Sequence, residues 1–227
     1  MEKEELEGYI EFTAHLADFR MESELKDLIE AADISQVHTF GWPVGVVLHT
    51  GANSPKPYTV KGETRGIRAI IDSSGRFDYW TLNKNGDYYI LSSLFEDQRS
   101  KNKIFIDTRT VRITETFWRT GRLYKQLHVP LKSTVECRLE HGGLLNRELT
   151  AANHLRAFTV AYNRKSSAKF VAKNFQLKVE DLLELESLQS IVHSALKSLT
   201  EVFEMFIPSK EQFTDPIVDA YLNGKII

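Results

Sequence analysis

Residues 77–95 read FDYWTLNKNGDYYILSSLF. Two runs rich in β-branched and aromatic residues, Phe77 to Leu82 and Asp87 to Phe95, flank Asn83-Lys84-Asn85-Gly86. That connector has hairpin composition, because Asn and Gly accept the backbone angles of tight antiparallel turns. Upstream, Gly66 to Ile71 leads into Asp72-Ser73-Ser74-Gly75, a second connector of the same kind. Three strands joined by short turns predict an antiparallel meander, and Lys103 to Ile106 adds a short fourth strand. Asp107 or Thr108 then caps a helix to about Leu127, with Ile113, Phe117, Thr120, Tyr124 and Leu127 on one face. A glycine inside a helix costs about 1 kcal/mol against alanine. Gly121, beside that face, therefore predicts close packing against the sheet. Val129-Pro130 ends the helix.

Outward from this centre, Thr134 to Glu140 reads as a strand turned by Gly142-Gly143, with further strands at Phe158 to Tyr162 and Lys169 to Val179. A long helix is expected from about Val179 to Phe206, ended by Pro208, and a short one from Glu211 to Leu222. On the other side, Phe40 to Leu48 reads as a turn entering a buried strand, with Pro43 at its entrance. Gly51 to Gly62 reads as a loop. Residues Glu2 to Ile34 read as two helices. Leu6, Tyr9, Ile10, Thr13, Leu16 and Ala17 recur at helical spacing, then Leu25, Leu28, Ile29 and Ala32, with Ser23 as a cap between them. The expected class is α+β: a mostly antiparallel sheet packed by one central helix, with N-terminal helices and a long C-terminal helix.

Charge divides the chain in the same places. Residues 1–30 carry ten acids and three bases, residues 31–179 twenty-three bases and twelve acids, and residues 180–227 nine acids and three bases. The net charges are -7, +11 and -6, which sum to the overall -2. The expected organisation is an acidic helical segment over 1–36, a basic core over 37–178 and an acidic helical region over 179–227. A basic core is the footprint of a polyanion partner, unless the acidic ends are its own counter-charge. The single cysteine, Cys137, excludes an internal disulfide and suits a reducing cytoplasm. The N-terminus MEKEELEGYI lacks a secretory pattern, and no apolar stretch has the length of a membrane span.

Candidate chemistry is sparse. None of the seven histidines pairs at metal-ligand spacing on a helix. Cys137 and His141 would lie about 13 Å apart along a strand, so a zinc site is not expected. Cys137 reads as a small core residue. His141-Gly142-Gly143 lacks the strand–turn–helix context of an oxyanion hole and reads as a hairpin turn. No Rossmann or P-loop pattern occurs, and no catalytic residue or cofactor is expected. A metal-dependent nuclease would need converging carboxylates, for which Asp72, Asp78, Asp87, Glu96, Asp97, Asp107 and Glu136 are available. Glu136-Cys137-Arg138 only loosely matches the Glu-x-Lys element of restriction-type nucleases.

The arginines say more. Arg112, Arg119 and Arg122 fall on one face of the central helix, with Glu115 between them. Arg99, Lys101 and Lys103 precede that helix, and Arg164, Lys165, Lys169 and Lys173 follow later. Tyr79, Trp80, Tyr88 and Tyr89 would stack bases where exposed. Alternation turns one of each adjacent pair outward. On the C-terminal helix, Leu185, Leu188, Val192, Ala195, Leu199, Val202 and Phe206 hold a three-four spacing, which suits a dimer seam or burial in a core.

HTFGWPVGVVL (38–48), FDYWTLNKNGDYYILSSLFEDQR (77–99), KIFIDTRTVRITETFWRTGRLYKQLHVP (103–130) and LEHGGLLNR (139–147) are long distinctive phrases. They resemble a bacterial domain found in the C-terminal part of proteins that bear a Schlafen AlbA-type DNA-binding domain. The resemblance covers about Val37 to Arg147 and, more weakly, Ile217 to Lys225. It implies a bacterial cytoplasmic protein in a regulatory or defence context. It supplies no catalytic residue, and DNA binding by the AlbA-type portion does not transfer to these residues. The expected function is a non-enzymatic module that binds nucleic acid or another phosphate-rich ligand through Arg99, Lys101, Lys103, Arg112, Arg119 and Arg122. The alternative is a protein-interaction module that dimerises through Leu185, Leu188, Val192, Leu199, Val202 and Phe206. A metal-dependent nuclease stands third.

Overall fold

The meander forms half of a larger sheet. A computed structural model of the protein describes residues 5–37, 42–73, 75–153 and 164–225. Its strands are β1 (Tyr9–Leu16), β2 (Lys56–Val60), β3 (Glu63–Ser73), β4 (Arg76–Asn83), β5 (Tyr88–Ser93), β6 (Lys103–Phe105), β7 (Thr134–Gly142), β8 (Glu148–Thr150) and β9 (Phe170–Lys178). Its helices are α1 (Leu25–Ile34), α2 (Glu96–Arg99), α3 (Ile106–Gln126), α4 (Leu185–Glu201) and α5 (Asp215–Leu222). Seven strands pair in the order β2-β3-β4-β5-β1-β7-β9, all antiparallel, and β6 and β8 form a small parallel pair. The α+β class, the meander, the central helix and the long C-terminal helix are as expected. None of the described helices is long and apolar enough to cross a membrane.

The first expected helix is instead β1, at the middle of the sheet. Its two edges pair with β5 and β7, so its backbone groups are satisfied on both sides. Ile10, Phe12 and Ala14 are buried on the helix-covered face, while Glu11, Thr13 and His15 alternate to the other. Phe12 meets Phe117 of α3 edge-on at 5.4 Å between ring centroids. The apolar residues of this segment fit a period of two as well as 3.6, and pairing with two strands decides between them. The expected boundary near residue 36 therefore crosses one continuous sheet. Gly51 to Gly62 also holds more order than a loop, since β2 pairs along β3 there. Pro57 is tolerated because β2 is an edge strand. The strand at Phe158 to Tyr162 lies outside the described residues.

Seventeen of the twenty-one residues of α3 are buried, although ten of the seventeen are polar or charged. The helix lies between the sheet and a layer made by α1, α4 and α5. Its threonines adapt it to that position. Thr110, Thr114, Thr116 and Thr120 each donate a hydroxyl to the carbonyl four residues back, at 2.7 to 2.8 Å. No threonine hydroxyl among these four asks for water. Asp107, one of the expected caps, accepts the Ala152 and Asn153 backbone N–H groups at 2.8 Å and ties the β8 end of the chain to α3.

The C-terminal seam closes on the same chain. Leu188, Val192, Ala195 and Leu199 are buried where α4 meets α3 and α5. Val202 and Phe206 pack on the same core, and Leu185 is the exposed end of the row. The three-four spacing suited either a dimer seam or a core helix, and the broad apolar stripe, widened by Ile191 and Leu196, packs within this chain. Leu188, Val192 and Leu199 leave no area for a second copy.

Gly121 marks a close approach, though to a different neighbour than the sheet. A Cβ there would lie 2.7 Å from Leu182 Cβ and 3.1 Å from the Leu183 side chain, in the turn before α4. Gly121→Leu is expected to lower the unfolding free energy by about 1–3 kcal/mol through overpacking. Urea unfolding measures this, and an unchanged midpoint would contradict the packing described.

Candidate ligand cavity

Strand alternation places Asp78 on the same face of β4 as Trp80 and Leu82, turned toward α3. Ser92 of β5 pairs with Asp78 across the sheet and donates its hydroxyl to Asp78 Oδ1. Above them runs the irregular segment Trp42 to Leu48, expected as a strand. It makes no ladder because α3 and its neighbours bind its backbone directly. Val44 N–H donates to Glu115 Oε1 at 2.8 Å, Arg119 donates to the Val44 carbonyl, and Trp80 Nε1 donates to the Val46 carbonyl at 2.9 Å. Val47 N–H donates to the Gln36 side chain at 2.8 Å. Gly45 sits at φ +61, and a Cβ there would lie 2.6 Å from Tyr88 Oη, so this bend requires glycine.

These elements line a cavity of about 100 Å³ that is partly open to solvent. Its polar wall holds Arg76, Asp78, Ser92, Arg109 and Arg112, and its apolar wall holds Ile10, Trp42 and Phe95. Two of the arginines belong to buried ion pairs. Arg109 donates to Glu96 at 2.7 Å with both side chains buried, and Arg112 donates to Glu115 at 2.7 Å. Arg76 reaches Gln98 Oε1 with its Nε at 3.1 Å. Two buried donors in the lining, Trp42 Nε1 and Arg109 Nε, have no acceptor among the described residues. Buried donors normally find one. The wall thus offers positive charge and N–H groups beside an apolar face, which suits a small oxyanion carried on an apolar or planar body.

The expected contact residues separate. Arg112 lines the cavity. Arg119 has no solvent exposure and donates to the Val44 and Ala32 carbonyls, so it is a structural clamp and not a surface contact. Arg122 lies at the surface, donating to the Ile34 carbonyl at 2.9 Å and stacking over Trp118 at 5.2 Å. The stripe is therefore no continuous surface; packing on both sides of α3 divides it. Lys101 pairs with Glu7 at 2.7 Å, Arg99 stacks over Phe95 at 5.2 Å, and Lys103 lies in β6. Of the later cluster, Arg164 donates to the Glu204 carbonyl at 3.2 Å and Lys173 to the Ser194 hydroxyl at 2.7 Å. Sequence reasoning missed Asp78, Ser92, Arg76 and Trp42 as a group. Period-two alternation, which puts Asp78 in register with Trp80 and Leu82, is the signal that would have found the buried carboxylate.

The sheet face turned away from α3 carries aromatic and charged side chains. Tyr79 and Tyr89 do turn outward, edge-on at 5.8 Å, while Trp80 and Tyr88 turn inward. Tyr89 donates to Glu11 at 2.9 Å and Tyr9 to Glu140 at 2.6 Å. Glu136 and Arg138 share that face of β7, and Arg138 donates to Glu140 Oε2. Among the described residues, no three His, Cys, Asp or Glu side chains are placed to hold one metal ion. Cys137 is buried, and burial pushes its thiol up to about 12, far from a nucleophile's range. Comparison with protein-family models, with curated proteins and with solved structures found no match.

Two buried groups near the cavity give stability opposite dependences on pH. Burial raises the Asp78 carboxyl from 3.8 to about 6, against the lowering effects of the Ser92 hydrogen bond and the Arg112 charge. Burial, reinforced by the Arg109 charge, lowers His141 from 6.5 to about 3. His141 is neutral in the fold, so its contribution is complete above pH 6.5 and is lost as pH falls toward 3. For Asp78 the contribution is complete below pH 3.8 and is lost as pH rises through 6. Urea unfolding of the wild type, Asp78→Asn and His141→Leu between about pH 4 and 6 checks the signs. Relative to wild type, Asp78→Asn should gain stability as pH rises and His141→Leu as pH falls, each by at most about 1.4 kcal/mol per pH unit. Three parallel profiles would contradict the assignment.

Proposed function

We propose that the protein is a non-enzymatic binding module for a small phosphate-bearing ligand, seated in the cavity between β4, β5, α3 and the Trp42 to Val44 segment. The observation that carries this reading is the pair of buried donors without acceptors among the described residues, Trp42 Nε1 and Arg109 Nε, in a wall that also holds Arg76 and Arg112. An oxyanion satisfies several such donors at once, and guanidinium groups are the side chains best shaped for it. Ile10, Trp42 and Phe95 give the rest of the ligand an apolar surface. At about 100 Å³ the space suits one anionic group with a small attachment, not a nucleic-acid chain. A regulatory or defence role in a bacterial cytoplasm, as the resemblance implies, is compatible with a sensor of this kind.

A protein-interaction module is the second reading, and the ion pairs between the acidic ends and the basic middle favour it. Glu7 holds Lys101, Glu180 holds Lys132 at 2.6 Å, and Asp18 approaches Lys178 at 3.8 Å. These contacts account for part of the charge segregation within one chain. They name no partner.

Calorimetric titration with inorganic phosphate, nucleoside monophosphates and short DNA and RNA separates the readings. Binding of one or more of the small phosphates is expected, and Arg76→Gln should weaken it about tenfold to a hundredfold, the worth of a charged hydrogen bond. Arg122→Gln should leave it unchanged. Salt-sensitive binding of DNA or RNA with every small phosphate inert would contradict the cavity reading.

A further inference from the structure

The charge balance around the cavity carries a second step, which rests on the anion-site reading above. Within the buried cluster, Arg109 is paired with Glu96 and Arg112 with Glu115. Arg119, buried behind the wall, is held by the Val44 and Ala32 carbonyls. In the wall itself the two charges without an ion-pair partner are half-buried Arg76 and buried Asp78, both on β4. The groups facing Asp78 are Arg76 on its own strand, the Ser92 hydroxyl on β5, and Arg112 and Glu115 on α3. With Asp78 ionised, the wall residues and their ion-pair partners carry no net charge. An anion added to so small a space would sit beside the Asp78 carboxylate and leave the wall with excess negative charge. Like charges brought together out of water cannot both remain ionised.

We infer that the cavity takes its oxyanion together with one proton, which comes from solvent and is held by the Asp78 carboxyl. Protonation removes the repulsion and converts an acceptor into a donor. Asp78 Oδ1 already accepts the Ser92 hydroxyl, so Oδ2 carries the proton and presents an O–H to the ligand. Arg76 and Arg112 supply the countercharge, and the Trp42 indole N–H supplies a further donor. Burial already holds the empty site's carboxyl up at about 6, so the proton is taken on with little resistance near neutral pH. The ligand class is thus a tetrahedral oxyanion, free or as a phosphate ester, whose affinity falls as the solution becomes alkaline.

Sulfate is the appropriate probe, because its own charge does not change across the range tested. The experiment is calorimetric titration of the full chain with sulfate at several pH values. It is repeated in two buffers of different ionisation enthalpy, so that the protons taken up are counted. Uptake close to one proton per sulfate is expected at alkaline pH, with affinity falling about tenfold per pH unit above the Asp78 value and levelling below it. Asp78→Asn, neutral at every pH, should bind sulfate without proton uptake and without that slope. Phosphate and a phosphate monoester compared at pH 6 then show whether the free ion or an ester is preferred. Sulfate bound with no proton uptake and no pH slope would overturn the inference and leave the anion site standing. Uptake unchanged in Asp78→Asn would overturn the assignment of the proton. Failure of sulfate, phosphate and the ester alike to bind at pH 6 would overturn both the inference and the anion site.

Discussion

Glu115 lies on the central helix with no access to water, and its two carboxylate oxygens go to different elements. Oε1 accepts the Val44 backbone N–H, and Oε2 pairs with Arg112. One bond fixes the segment that covers the cavity, and the other orients a guanidinium in its wall. A buried ion pair of this kind is not a strong source of stability, because desolvation offsets most of the attraction. Its effect is positional. Removing either partner leaves an uncompensated buried charge, typically a loss of about 3–5 kcal/mol. Arg119 works from the next turn of the same helix, holding the Val44 and Ala32 carbonyls. The helix thus clamps the covering segment through side chains where a sheet would have used backbone pairing.

That arrangement accounts for the composition of α3. A helix buried on nearly every side is usually apolar throughout. Here threonines bond back to their own helix, and Arg109, Arg112, Glu115 and Arg119 bond to their surroundings. Charged side chains gather where Arg76, Asp78, Arg109 and Arg112 line the cavity. The acidic ends of the chain act farther out, at exposed pairs such as Lys101–Glu7 and Lys132–Glu180, where solvent screens most of the attraction. Charge segregation along the sequence thus has two separate consequences in space, a set of weak surface pairs and one buried polar site.

Much of the fold was legible in the residues. Asn83-Lys84-Asn85-Gly86 marked the β4–β5 hairpin, and the face from Ile113 to Leu127 marked α3. The stripe from Leu185 to Phe206 marked a long amphipathic helix but left its partner open between a second copy and the chain's own core. β1 was not legible, because residues 6–17 satisfy both periods and only pairing on two edges selects the strand. The Val44 to Leu48 run carries strand composition but is bound by the side chains of Glu115, Arg119, Trp80 and Gln36, distant in sequence. The arginine stripe was correctly spaced on its helix. Nothing local in Arg112, Glu115 and Arg119 reveals that the Val44 segment and α1 pack against them. The candidate site joins residues 42, 76, 78, 92 and 112, and only the tertiary fold brings those together.

The central claim is that a small oxyanion binds within this cavity, where it meets the Trp42 indole N–H. The chain has three tryptophans, and each indole N–H gives a separate proton–nitrogen NMR signal. Trp80 is committed to the Val46 carbonyl, and Trp118 lies beneath Arg122 and against Tyr221 at the far part of the helix. Titrating phosphate into nitrogen-15-labelled protein should move the Trp42 signal along a saturable curve while the signal of Trp118 stays in place. A Trp42 signal that is unmoved at saturating phosphate, or a shift confined to Trp118 beside the surface arginine, would contradict the account.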